Sequence, residues 1–283
     1  IIKDALKNNK LEKDGTIVEG TAGNTGIGIA MVANFYGINT KIVIPNTQSE
    51  EKKDALRNLG AELIEVDAVP YSDPNNYVKY SKNVADELSK KNSKKVYWAN
   101  QFDNTINKLA HIETTSQEIL KQTENKVDAF TCSVGTGGTL AGTAEGLKKF
   151  NKNIITALSD PLGSSLFNFL KKNELSATGS SITEGIGTSR ITENFKNSLV
   201  AEAFHINDQY ALDIMFDLLK NEGLSLGTSS GINVAGAIEL GKKIGPNKNI
   251  VTILCDYGSR YASKLYNKKF LESKGLKAPN WLK

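Results

Sequence analysis

Thr16-Ile17-Val18-Glu19-Gly20-Thr21-Ala22-Gly23-Asn24-Thr25-Gly26 is the stretch whose reading decides the fold. Thr16 to Glu19 reads as a β-strand. From Asn24 to Tyr36 the spacing changes to that of a helix, through Ile27, Ala30, Met31 and Asn34. A glycine-containing turn between a strand and a helix leaves backbone N–H groups pointing at whatever lies beyond the helix start, and anions are attracted there. Asn24 and Thr25 add side-chain donors, so a carboxylate or phosphate is the expected guest.

The same rhythm continues outward. Lys41-Ile42-Val43-Ile44 is a strand closed by Pro45, Ser49 to Leu59 a helix with Ser49 as its cap, and Glu62 to Val66 a third strand. A helix ending near Leu88, a strand over Val96-Tyr97-Trp98-Ala99 and a long helix over Ile106 to Lys121 follow. A second series begins with the strand Ala129 to Ser133, a glycine-rich turn and a helix through Leu147, then the strand Ile154 to Leu158. Glu202 to Ile206 and Ile250 to Leu254 read as strands, with helices over Ala211 to Lys220 and Val234 to Lys243. Strands alternating with helices imply parallel βαβ units. The pattern predicts an α/β protein with two open parallel-sheet domains and flanking helices. Residues 1–15 form a linking helix, 16–120 a smaller domain and 121–283 a larger one.

Composition narrows the classes. The chain has 283 residues and a net charge of +4. Its basic pairs, such as Lys52-Lys53, Lys90-Lys91 and Lys94-Lys95, read as solvated helix or loop positions. No basic stripe with interleaved aromatics points to nucleic acid. No apolar run nears the roughly 20 residues that cross a bilayer. Cys132 and Cys255 are the two cysteines. Both lie in apolar runs and read as small core residues in buried strands rather than metal ligands. With no disulfide framework and no export signal, a reducing cytoplasm is the expected compartment, and no metal is expected.

Two further turns carry chemistry. Gly135-Thr136-Gly137-Gly138-Thr139 lies between a strand and a helix; its glycines let backbone approach a ligand, and its threonines complete a neutral phosphate cradle. It lacks the lysine of a P-loop and the Gly-x-Gly-x-x-Gly spacing of dinucleotide folds. Gly227-Thr228-Ser229-Ser230-Gly231 precedes the Val234 helix, and a helix cap by Ser229 or Ser230 is the plain reading.

Together and in this order, the three turns resemble those of the fold-type II pyridoxal phosphate (PLP) enzymes, whose architecture is tryptophan synthase β-like. The cysteine synthase and cystathionine β-synthase family is the close match. Ile42-Val43-Ile44-Pro45, the run from Lys52 to Glu62, and Trp98-Ala99-Asn100-Gln101-Phe102-Asp103-Asn104 agree with it. The resemblance implies that Thr21, Gly23, Asn24 and Thr25 close on the substrate carboxylate, with Asn24 also reaching the ring oxygen of the cofactor and Gln101 making a second carboxylate contact. It implies that Gly135, Thr136, Gly137, Gly138 and Thr139 hold the PLP phosphate and that Ser229 meets the pyridine nitrogen. His111 and His205 gain no role. In the family, the lysine that binds PLP as a Schiff base sits in a Ser-x-Lys-Asp-Arg stretch before the helix that opens this chain. No such stretch occurs here, so the resemblance places that lysine upstream of Ile1 and leads us to expect an N-terminally truncated chain with no catalytic lysine of its own.

The implied reaction is β-replacement on an activated serine, first of all cysteine synthesis from O-acetylserine and sulfide. Cystathionine β-synthase and serine/threonine deaminase activity are the alternatives within the family, and a catalytically inactive PLP- or partner-binding protein is the alternative outside it. Glu184-Gly185-Ile186-Gly187 resembles the closing loop of cystathionine β-synthases, where Glu184 would meet the amino group of a second amino acid. The implied partners are a small amino acid, a sulfur nucleophile and a second copy of the chain.

Overall fold

The computed structural model describes residues 1–91 and 95–282. Of the lysines assigned above to solvated positions, Lys52 and Lys53 are buried, 1% and 3% exposed, which corrects that reading, and Lys94 lies outside the described residues. The chain forms two compact units, Ile1–Asn104 and Thr105–Lys283.

In the first unit, β1 (Thr16–Gly20), β2 (Asn39–Pro45), β3 (Glu62–Val66) and β4 (Val96–Trp98) form a parallel sheet in the order β3-β2-β1-β4. The helices are α1 (Ile2–Lys7), α2 (Asn24–Tyr36), α3 (Glu50–Asn58) and α4 (Tyr77–Ser89). Crossover helices cover the faces of a parallel sheet, which is why its central strands carry unbroken apolar runs. Ile17, Val18, Ile42, Val43 and Ile44 are accordingly fully buried. Ser49 takes the N-cap position of α3 as expected, but no side-chain cap bond forms there.

The second unit repeats the plan. Strands β5 (Ala129–Cys132), β6 (Ile155–Pro161), β7 (Glu202–Ile206) and β8 (Ile250–Thr252) form a parallel sheet in the order β7-β6-β5-β8. The expected helix over Ile106 to Lys121 is divided: α5 (Ile106–Ala110) and α6 (Ser116–Gln122) flank a π-helical turn, His111–Thr115. Thr114 and Ser116 turn their hydroxyls back onto Ala110 O and Ile112 O, at 2.8 and 2.7 Å, within this widened turn.

The whole run packs on α7 (Gly138–Phe150) through small residues. A Cβ on Gly142 would fall 2.4 Å from Lys108 O, and one on Gly146 would fall 2.0 Å from Ser116 Oγ. The sequence pattern divided the chain at 120/121, whereas the compact units divide at 104/105 because α5 and α6 pack on α7.

The remaining helices are α8 (Leu166–Lys172), α9 (Asp208–Glu222), α10 (Thr228–Ile244) and α11 (Lys268–Ser273), with a 3-10 turn over Gly258–Tyr261. Neither α8 nor α11 was foreseen, both being short. Helix α10 begins at Thr228, so Thr228 to Gly231 is its first turn and not a preceding loop. Cys132 is buried in β5, but β8 ends at Thr252 and Cys255 is exposed where the chain leaves the sheet, which corrects the buried-strand reading.

Helix α10 lies close over β6: a Cβ on Gly236 would stand 1.8 Å from Ser159 Oγ, itself fully buried and bonded to Thr131 Oγ1 at 2.8 Å. Gly236→Ala therefore forces the helix off the sheet, and we expect a loss of about 1–3 kcal/mol in denaturant unfolding. Unchanged stability would show that α10 shifts at no cost.

Candidate functional site

In the first unit, β1 runs directly into the Thr21–Gly26 turn. Thr21 is buried; its N–H donates to Val43 O at 3.0 Å, and its Oγ1 accepts from Gly23 N at 3.1 Å. Gly23 has φ +129°, and a Cβ there would fall 2.7 Å from Lys52 Cδ, so glycine is required both for conformation and for space. Helix α2 begins at Asn24 with Gly23 as its N-cap and no side-chain cap. Asn24 is exposed.

The structure brings Gln101 to this turn. Its Nε2 donates to Gly20 O at 3.0 Å and its Oε1 accepts from Thr25 Oγ1 at 2.6 Å. Behind it lies a residue that the sequence pattern did not single out. The Glu19 side chain is 1% exposed, and Oε2 accepts from Gln101 N at 3.2 Å. Burial pushes its pKa up from 4.5 to about 8, against the opposing pull of the Gln101, Gly20 and Asn100 hydrogen bonds.

In the second unit, β5 leads into Gly135–Thr139, and α7 starts at Gly138 with Gly137 as N-cap in the left-handed region, φ +87°. No side chain caps α7. Gly138 N donates to Thr136 Oγ1 at 3.3 Å, and the amides of Thr139 and Leu140 follow in the first turn. Two tight neighbours hold this turn. A Cβ on Gly137 would meet Phe195 Cβ at 2.6 Å, and Thr192 Oγ1 donates to Thr136 O at 2.6 Å.

Asn107 on α5 donates to Thr136 Oγ1 at 3.0 Å. His111 in the π turn places Nε2 3.2 Å from Thr139 Oγ1 and Nδ1 2.9 Å from Thr115 Oγ1. Burial lowers the His111 pKa, so the ring is neutral near pH 7. His111 thus touches the cradle, a contact that the sequence alone left without a role. His205, by contrast, stacks on Phe167 with ring centroids 4.8 Å apart.

Ser229 is buried in the first turn of α10, and neither it nor Ser230 caps that helix; the Ser230 hydroxyl accepts from Cys255 N at 2.9 Å. Asn233, one turn on, ties α10 to the strand ends. Its Oδ1 accepts from Ser133 N at 2.7 Å, just before the cradle, and its Nδ2 donates to Ile253 O at 2.7 Å. The Glu184–Gly187 loop lies against the cradle: Gly187 N donates to Val134 O at 2.8 Å, and a Cβ on Gly135 would meet Gly185 O at 2.3 Å. Glu184 is largely buried and pairs with Lys264. Its charge is therefore already answered, which weakens the expectation that it awaits an amino group.

The buried Glu19 gives a pH prediction. Below pH about 4.5 both native and unfolded chains hold the proton. As pH rises from there to about 8, only the unfolded chain releases it, so the native state loses relative stability, reaching about 5 kcal/mol above pH 8. The stability of the wild type minus that of Glu19→Gln, from urea unfolding, should fall across this window and then level off. A flat difference would contradict the burial argument.

The donor sets fit a phosphate and a pyridine ring: uncapped amides and threonine hydroxyls at α7, and a buried hydroxyl on α10. The family model described as pyridoxal-phosphate dependent enzyme matches residues 1–256. The chain is 46% identical over 281 residues to cysteine synthase 1 of Neurospora crassa, covering 98% of this chain and 73% of that protein. It is 45% identical to cysteine synthase 1 of Emericella nidulans, covering 98% and 75%. Its fold matches the crystal structure of an O-acetylserine dependent cystathionine β-synthase from Helicobacter pylori with TM-score 0.84 and 31% identity, covering 93% of this chain and 81% of that one. On the agreement of turns, sheets and sequence, the chain belongs to the pyridoxal-phosphate dependent enzyme family.

Proposed function

We propose that the protein acts as a cysteine synthase, replacing the acetoxy group of O-acetylserine with sulfide to give cysteine and acetate. In the net reaction the Cβ–O bond breaks, acetate leaves with its bonding pair, and a Cβ–S bond forms. The observation that carries the reading is the Gly135–Thr139 turn at the uncapped start of α7, within a chain 46% identical to a cysteine synthase. When bound, PLP supplies the electron sink for loss of the α-proton and the β-leaving group.

The residues of the chain then have distinct tasks. The α7 amides and the Thr136 and Thr139 hydroxyls hold the phosphate. A neutral His111 has two orientations open at Thr139. Donation from Nε2–H, with Thr115 bonding Nδ1, frees the Thr139 hydroxyl proton for the phosphate. Ser229 offers the pyridine nitrogen a neutral hydroxyl, which shares a hydrogen bond without enforcing protonation. A neutral partner at that nitrogen would favour β-elimination chemistry over transamination. Thr21, Gly23, Asn24, Thr25 and Gln101 receive the substrate carboxylate, with Asn24 also serving the cofactor.

Two finer expectations join this proposal. Met31, Val32 and Phe35 on α2 are exposed, Phe35 by 82%, and such an apolar face supports a homodimer. Both cysteines are free, which supports a reducing cytoplasm. Among the described residues no helix is long and apolar enough to cross a membrane.

Thr139→Val removes one charge-assisted hydrogen bond, about 1.5–3 kcal/mol. PLP affinity by spectroscopic titration should therefore fall at least tenfold with the fold intact; unchanged affinity would remove the phosphate assignment. Gly137→Asp is a poorer probe, because its side chain would strike Phe195 first. Ser229→Ala should cost about 0.5–1.5 kcal/mol of PLP affinity, roughly two- to tenfold. Ser229→Asp should shift product from cysteine toward pyridoxamine phosphate. If both variants match the wild type, Ser229 does not meet the ring. For the holoenzyme, rates with sulfide should exceed those with homocysteine; the reverse order would favour a cystathionine β-synthase.

A further inference from the structure

Glu19 is a fully enclosed acid that the proposed reaction does not use. It is the penultimate residue of β1, where a parallel-sheet strand normally carries an apolar side chain. A buried carboxyl is costly unless its bonds do something that a hydrophobe cannot.

Its bonds converge on one corner. Asn100 has φ +49°, an unusual conformation for a residue other than glycine. The next residue, Gln101, gives its backbone N–H to Glu19 Oε2 at 3.2 Å, while its side chain is stretched between Gly20 O at 3.0 Å and Thr25 Oγ1 at 2.6 Å. Asn100 Oδ1 is buried and has no hydrogen-bond partner among the described residues. The corner is thus pinned on its backbone side by Glu19 and on its side-chain side by the two ends of the Gly20–Thr25 turn. Moving the Glu19 carboxyl moves the Gln101 backbone, and with it the amide that spans the turn.

We propose that Glu19 is a positioning residue for the amino-acid site: by holding the Asn100–Gln101 corner it sets the Gln101 amide and the Thr25 hydroxyl at the geometry that receives a substrate carboxylate. The inference rests on the reading of Gln101 and the Thr21–Thr25 turn as the carboxylate site. Glu19 acts through Gln101 and touches no substrate.

The test uses the full-length protein loaded with PLP, and L-serine as the calorimetric probe. Glu19→Asp withdraws the carboxyl by one methylene, whereas Glu19→Gln keeps its reach and its acceptor oxygen. Glu19→Asp should weaken L-serine binding about five- to tenfold, the scale of one lost hydrogen bond. It should also raise KM for O-acetylserine more than it lowers kcat, with PLP affinity unchanged. Glu19→Gln should stay within about twofold of wild type, since the same bond is retained.

In a Gln101→Ala background, Glu19→Asp should have no further effect, because coupled residues are not additive. Wild-type binding by a folded Glu19→Asp, or effects that add in the double variant, would overturn the positioning role. If wild type itself fails to bind L-serine, or Gln101→Ala binds as wild type does, the carboxylate-site reading falls, and this inference falls with it.

Discussion

Three helices, α2, α7 and α10, begin at glycines, and none carries a side-chain cap. The chemistry proposed for the protein depends on that constraint. A helix start leaves amides without intrahelical partners, and a protein ordinarily closes them with serine, threonine, asparagine or aspartate. Here α4, α9 and α11 do use asparagine caps, Asn76, Asn207 and Asn267. The asparagines close those three helix starts, whereas α2, α7 and α10 start at the glycine turns with no side-chain cap, and α1, α3, α5, α6 and α8 also lack one.

Packing keeps the turns in shape. Lys52 fills the space beside Gly23, Phe195 the space beside Gly137, and Asp256 the space beside Gly227, where a Cβ would fall 2.2 Å from Oδ1. At each glycine a neighbour from the same unit occupies the space that a Cβ would need. The threonines and asparagines around α7 add directional bonds: Asn107, Thr192 and His111 each fix one atom of the cradle. Such supporting contacts hold a site to the fractions of an ångström that recognition needs.

Much of this was legible in the sequence because it is local. A strand, a glycine turn and a helix are written within some dozen residues, as in Thr16–Gly26 and Ala129–Thr139, and both sheets follow from repeating that unit. The partners of the turns were not legible. His111 meets Thr139 across 28 positions and Asn233 meets Ser133 across 100, and neither shows a local pattern. The π turn that carries His111 reads as ordinary helix, since its widening comes from packing on α7. Glu19 shows no local sign of its burial, because the partner that encloses it, Gln101, lies 82 positions away. Cys255 was misjudged because an apolar run does not say where its strand stops.

The most direct test of the central claim is amide hydrogen exchange across the start of α7, with and without PLP. The account predicts that the amides of Thr139 and Leu140 exchange markedly more slowly when PLP is added, while those at the asparagine-capped start of α9 are unaffected. Equal exchange at Thr139 and Leu140 in both conditions would mean that the phosphate is held elsewhere, and the uncapped glycine start of α7 would lose the role given to it here.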